Sequence, residues 1–219
     1  MANPNPTHAI LEQLGLLLSP EFTTVLDCDP PELIVTGGYR SGKSTVTAAK
    51  FQTHPFYLTG HDDKFKPFLG WLVGPTYQGA HKEMEYLVRW AYQMMPGAIL
   101  GRPSLPDDGV QTLRLKNGST IETRSSTNPE RLASDAPHLI AVVEAGQQPE
   151  SVRNAVLGRA LENDAHIIYS GTLEDKQRWS WYEDLAEKWR EEPTAEARSF
   201  SLPSWSNLAE FPGGAEDSK

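Results

Sequence analysis

The run ELIVTGGYRSGKST, residues 32–45, limits what this chain can fold into more than any other stretch. Its first half is short, apolar and β-branched, the pattern of a buried strand. Its second half has the spacing Gly37, any four residues, Gly42, Lys43, Ser44, and the residues after it carry a helical pattern. A strand that turns through glycines straight into a helix converges its loop N–H groups beside the positive end of the helix dipole. Gly37 and Gly42 permit backbone angles closed to residues with a Cβ. Such a loop is a cradle for phosphate. Lys43 supplies a point charge for β- and γ-phosphates, and Ser44 a hydroxyl for Mg²⁺. The loop predicted to bind ATP is Gly37, Gly38, Tyr39, Arg40, Ser41, Gly42, Lys43, Ser44 and Thr45. Arg40 is the unusual member, aimed either at the γ-phosphate, at a neighbouring subunit, or at solvent.

The remaining pattern alternates strands with helices. Buried strands are predicted over 69–76, 138–145 and 165–172, each an apolar run closing in small or polar residues. Helices are predicted over 77–95, 149–163 and 179–192, and TLRLKNGSTIETR (112–124) reads as a hairpin about Asn117-Gly118. Residues 196–207 read as a last strand and loop. Alternation of this kind predicts an α/β fold with a mainly parallel central sheet flanked by helices. Ligands of such sheets bind at the carboxyl ends of the strands. The phosphate loop, Glu144 and Ser170-Gly171-Thr172 all fall at such ends.

At 219 residues the chain is long enough for a two-sided sheet core without covalent staples. Its one cysteine, Cys28, excludes an intrachain disulfide framework. The net charge of −9 excludes non-specific coating of nucleic acid by bulk charge, so contacts to DNA would have to be local. No stretch reaches the ~18 apolar residues of a membrane span, and AILEQLGLLL (9–18) reads as a short amphipathic helix.

Hydrolysis needs a carboxylate to orient water and usually another in the metal shell. LIAVVEAG (139–146) is the strand placed to supply them, and it offers one acid, Glu144, with Val143 where an Asp is usual. Glu144 is therefore read either as the residue that polarises water or as a support for the metal with slow turnover. Ser170, Gly171 and Thr172 end the next strand, where small hydroxyl residues can sense loss of the γ-phosphate.

In this order the motifs resemble the ATPase domain of the large terminase subunit, the DNA-packaging motor of tailed bacteriophages. The resemblance is carried by VTGGYRSGKST (35–45), GWLVGPTYQGAHKE (70–83), NPERLAS (128–134), LIAVVEAG, IIYSGT (167–172) and FSLPSWSN (200–207). It implies an additional-strand P-loop NTPase fold that hydrolyses ATP with Mg²⁺. Residues 1–172 would be the ATPase core, with 1–19 as an N-terminal helix or arm, 173–219 a C-terminal lid or linker segment, and no nuclease domain. It implies Glu144 as the catalytic glutamate, Lys43 and Ser44 as Walker A residues, and Ser170 to Thr172 as the coupling motif. An arginine against the γ-phosphate is implied as well. Arg131 is nearest its expected place, and Arg159, Arg124 and Arg40 compete with it. The family's upstream adenine-reading Gln has no counterpart near Glu21, which leaves Tyr77 and Gln78. Implied partners are double-stranded DNA, a portal protein and a small terminase subunit. The assembly would be a homo-oligomeric ring on the portal, or a monomer in isolation, in the host cytoplasm during virion assembly. Arg102, Lys116 and Arg124 are the hairpin residues read as DNA contacts. The alternatives are another P-loop enzyme, helicase-like or a small-molecule kinase, and a non-hydrolysing module that assembles on nucleotide.

Overall fold

The computed structural model describes residues 6–127, 132–173 and 180–217. Two short helices, α1 (Pro6–Gln13) and α2 (Pro20–Leu26), lead into β1 (Glu32–Gly37). Ser19 sets the start of α2, accepting a hydrogen bond from the Phe22 N–H at 3.2 Å ahead of Pro20. Next come α3 (Lys43–Gln52), α4 (Pro55–Thr59), β2 (Leu69–Gly74) and α5 (His81–Met94). The hairpin of β3 (Thr112–Arg114) and β4 (Thr120–Ser125) turns at the predicted Asn117-Gly118, with Gly118 at φ 103°. Then follow β5 (Leu139–Val143), α6 (Glu150–Ala160), β6 (His166–Gly171), α7 (Ser180–Glu191) and β7 (Ala197–Leu202).

The seven strands form one sheet in the order β3-β4-β2-β5-β6-β1-β7, and every pairing is parallel except β3 with β4. Strand β6 lies between β1, which feeds the phosphate loop, and β5, which ends at Glu144. That insertion defines the additional-strand arrangement. It sets the phosphate loop and Glu144 one strand apart, the space a phosphate and a water need between them.

Alternation sorts side chains to two faces. Leu33 and Val35 of β1, Leu139, Ala141 and Val143 of β5, and Ile168 of β6 pack with α2, α3 and α5. Ile34, Ile140, Val142, Ile167 and Tyr169 face the other way, against α6 and α7. Both faces are covered, which is why the inner strands read as unbroken apolar runs. The segment after 173, set apart in the sequence as a lid or linker, joins this architecture. β7 pairs in parallel with β1 from Glu32↔Ala197 to Gly37↔Leu202, and Tyr182 and Trp189 of α7 are core residues. Trp179 lies outside the described residues, and Trp181 takes a place on the buried face.

Candidate functional site: a phosphate loop closed by the C-terminal segment

The loop between β1 and α3 has the form its sequence predicts, for partly different reasons. Gly42 stands at φ +88°, and a Cβ there would lie 2.2 Å from the Phe22 ring. Gly37 is needed for space, because a Cβ would lie 2.5 Å from the carbonyl oxygen of Leu202. Arg40, not a glycine, takes the other left-handed position, at φ 60°. No side chain caps α3, whose N-cap is Gly42, so its first-turn N–H groups face the mouth of the loop. The Lys43 ammonium lies across that mouth, donating to the carbonyls of Gly37 and Gly38 at 2.8 Å each. Burial lowers the Lys43 ammonium from its ordinary range, while Glu144 acts to raise it.

The residues after β7 fasten this loop from outside. Ser204 Oγ donates to the Tyr39 carbonyl at 3.2 Å and Asn207 Nδ2 to that of Arg40 at 2.8 Å, while Ser206 Oγ, which donates to the Pro203 carbonyl at 2.7 Å, lies 3.4 Å from that of Ser41. The carbonyls of Tyr39 and Arg40 are thus held from outside by one strap, and the Ser41 N–H turns back onto the Gly38 carbonyl at 3.4 Å. Arg40 Nη1 adds a loose ion pair with Glu210 at 3.8 Å, with three-quarters of the arginine side chain exposed. The PSWSN stretch therefore holds the cradle in shape, a role its sequence does not announce.

Glu144 stands opposite, at the end of β5, and lines the same hollow as Lys43, Ser44 and Thr172. Its backbone is left-handed, φ 51° and ψ 45°. A non-glycine residue held there costs about 1–2 kcal/mol, which the surrounding contacts must offset. The bend is fixed from behind by Gln148, fully buried, whose Nε2 donates to the carbonyls of Val143 at 2.6 Å and Val73 at 3.1 Å. Trp181 Nε1 donates in turn to the Gln148 carbonyl at 2.8 Å, tying α7 to this corner.

A second carboxylate reaches the site from α5. Glu83 is 3% exposed, in the turn of α5 whose Lys82 and Tyr86 line the hollow with Ser44. Burial raises the Glu83 carboxyl above the usual carboxylate range, the Ser44 hydrogen bond opposes this, and Glu144 raises it further. A signal existed in the sequence: Glu83 shares helical spacing with Leu87, Trp90 and Ala91, all on the buried face. An acid on an apolar face asks for a partner.

The predicted coupling residues lie beside Glu144. Ser170 is paired with Val143, and Gly171 packs so closely that a Cβ would lie 3.0 Å from the Ala145 nitrogen. The Tyr182 hydroxyl is 3.2 Å from the Gly171 carbonyl and 3.2 Å from that of Val35, so α7 reads the ends of β6 and β1 together.

The arginines separate clearly. Arg131 lies outside the described residues. Arg124 is neutralised within the fold, pairing with Glu122 at 2.7 Å and Asp135 at 3.2 Å over the Trp71 ring. Arg159 pairs with Glu162 at 2.7 Å. Arg40 is the candidate that lines the hollow, and Arg102 and Lys116 are exposed.

The hollow itself is small, about 170 Å³, a size for phosphates. A second one of about 330 Å³ adjoins it, sharing Thr45, Tyr86, Asn207 and Glu210, and is walled by Leu16, Phe22 and Trp90. Neither Tyr77 nor Gln78 lines it. Gln78 is exposed, 3.5 Å from Asp107.

Fold and loop together have the architecture of the P-loop NTPase fold, of the additional-strand type. Solved structures similar to it include large terminases and their isolated ATPase domains. That of Thermus phage P74-26 matches at TM-score 0.69 and 18% identity, over 96% of this chain and 91% of that one. The large terminase of a thermophilic bacteriophage, solved with ADP, matches at 0.63 and 16%, over 88% of this chain and 47% of that one. The HK97 bacteriophage large terminase matches at 0.65 and 10%, over 85% and 39%. The chain thus spans nearly all of an isolated terminase ATPase domain and less than half of the longer terminases. No protein-family model matches the sequence, and no curated protein matches it.

Proposed function

We propose that the chain is the ATPase motor domain of a phage DNA-packaging terminase. The observation that supports this most is the facing of Lys43 and Ser44 by Glu144 across one hollow, in the fold of the terminase ATPase domains. The loop N–H groups and Lys43 bind and orient the phosphates, and the strap over Tyr39, Arg40 and Ser41 keeps them preorganised. Glu144, rigid in its strained bend, orients a water for in-line attack on the γ-phosphorus and takes its proton as the new P–O bond forms and the bond to the β–γ bridging oxygen breaks, releasing ADP and phosphate. The nucleoside lies in the adjoining hollow against Phe22 and Tyr86.

The residues present fit Mg²⁺: Ser44 offers a hydroxyl oxygen, and the carboxylates of Glu83 and Glu144 supply negative charge around it. When bound, the ion neutralises charge building on the bridging and leaving oxygens. Arg40 or an arginine from a neighbouring subunit neutralises the rest, an effect worth ~10³–10⁵ in rate in related NTPases. Double-stranded DNA, a portal protein, a small terminase subunit, a ring of copies and the host cytoplasm belong to the same proposal. They rest on the fold likeness and the motif order. Val143 in the Asp position supports a second reading, a module that binds nucleotide and assembles without turning over.

The test is ATP hydrolysis against protein concentration, with Lys43→Ala and Glu144→Ala in parallel. Turnover that rises faster than linearly and vanishes in both variants is expected. Linear turnover would remove the trans arginine, and turnover surviving Glu144→Ala would remove the catalytic assignment. Tight binding without turnover, even with DNA and portal present, would favour the second reading.

A further inference from the structure

We infer that Glu83, reaching in from α5 to Ser44, is the carboxylate of the magnesium site, standing where strand β5 has only Val143. The inference rests on the nucleotide reading above.

Val143 packs on the face of the sheet that carries α3 and α5, among Val46, Met84 and Leu87. An acid at 143 would therefore point at the start of α3, where Ser44 sits. Val143 is apolar and 1% exposed, so β5 offers Ser44 no carboxylate at that position. The hydroxyl of a metal-binding serine needs an acceptor for its proton, so that an oxygen lone pair is left for the cation. Glu83 is buried in the turn of α5 whose Lys82 and Tyr86 line the hollow together with Ser44, and Ser44 acts on its carboxyl as a hydrogen-bond donor.

A glutamate in the first turn of a helix ordinarily interacts with the helix dipole from solvent. Glu83 does not fit that description, because it is 3% exposed and turned inward. No lysine or arginine lies within ion-pair distance of it among the described residues, yet Glu144 is near enough to repel it. Lys82 acts to lower the Glu83 carboxyl and Lys43 feels both carboxylates, but neither lysine forms an ion pair with Glu83 among the described residues. A buried carboxylate without a paired cation is costly unless it serves one. A divalent ion on Ser44 supplies that cation. The helix thus provides the charge that the strand usually gives, and the metal site is built from α3 and α5.

The test is the effect of Mg²⁺ on ATPγS affinity, measured by calorimetry, with Mn²⁺ paramagnetic resonance as a direct reading of bound metal. The proteins are the wild type, Glu83→Gln and the double variant Glu83→Gln/Val143→Asp. Glutamine keeps a hydrogen bond to Ser44 and removes only the charge. The wild type is expected to bind ATPγS more tightly with Mg²⁺. Glu83→Gln should lose tenfold or more of that enhancement and the nucleotide-dependent Mn²⁺ signal. Its metal-free affinity should be kept or raised, since a negative charge near the phosphates is gone. The double variant should recover the enhancement through the new acid on β5. Full enhancement in Glu83→Gln would overturn the inference and leave the nucleotide site standing. A wild type that binds no ATPγS with or without metal would overturn the nucleotide reading itself.

Discussion

The hydroxyl of Tyr182 lies 3.2 Å from the carbonyl oxygen of Gly171, and at the same distance it reaches Val35 on the neighbouring strand. One side chain of α7 thus spans the strand that feeds the phosphate loop and the strand that ends in Ser170 and Gly171. Tyr182→Phe removes the hydroxyl and keeps the ring. It should cost about 1–2 kcal/mol, the range for a lost buried hydrogen bond, read by urea unfolding. Nucleotide affinity should change little. Hydrogen exchange in α7 should cease to depend on bound nucleotide. An unchanged nucleotide effect in α7 would show that the hydroxyl plays no part in the linkage.

Gly42 is fixed twice, by its left-handed backbone and by the Phe22 ring 2.2 Å from where a Cβ would stand. Gly42→Ala should abolish nucleotide binding and lower stability. Adding Phe22→Ala removes the clash but leaves the backbone penalty of about 1–2 kcal/mol. The double variant should therefore recover ordered folding, seen as a sharp thermal transition, without recovering full affinity.

The strap can be loosened without touching the loop's own residues. Asn207 Nδ2 holds the Arg40 carbonyl at 2.8 Å from outside the cradle. Asn207→Ala should weaken ATPγS binding by about tenfold, the equivalent of one hydrogen bond of about 1.4 kcal/mol. The melting temperature without nucleotide should move by a few degrees at most. Equal affinity in the two proteins would show that the loop holds its shape unaided.

Arg124 and Lys116 should respond in opposite ways. Arg124→Ala leaves Glu122 and Asp135 unpaired and strips a cation from the Trp71 face, so stability should fall by about 1–3 kcal/mol. Lys116 is exposed on the hairpin turn, and Lys116→Glu should leave stability unchanged. If the hairpin touches DNA, the Lys116 variant alone should flatten the salt dependence of DNA affinity.

His54 predicts an acid-side loss of stability. Burial lowers its pKa to about 4, with His166 adding to the effect and Asp29 opposing it. The neutral ring also accepts the Phe56 N–H at the start of α4. A histidine with a lowered pKa in the fold stabilises fully above its unfolded pKa, near 6.5, and the contribution is lost as pH falls toward 4. The loss across that window is at most about 3 kcal/mol. His54→Asn, which can still cap α4, should flatten the unfolding free energy between pH 6.5 and 4. A wild-type slope that persists in the variant would assign the loss to other groups.

The order and type of the elements were legible in the chain because each carries a local signal. The strand-loop-helix of 32–52, the Asn117-Gly118 turn and the apolar runs at β5 and β6 all depend on neighbours a few residues apart. The loop residues from Gly37 to Thr45 and the strand-end position of Glu144 follow from that alone. The tertiary structure decided the rest, because it brings together residues that share no local pattern. It set β6 between β1 and β5 and drew residues 197–202 into the sheet as its outer strand. It laid Asn207 on the loop 167 residues upstream, and turned Arg124 inward onto Trp71. It also buried Glu83 against Ser44, where helical spacing shows only that an acid lies on an apolar face. A sequence states which face a side chain occupies, but the group across from it is fixed only when the faces are packed.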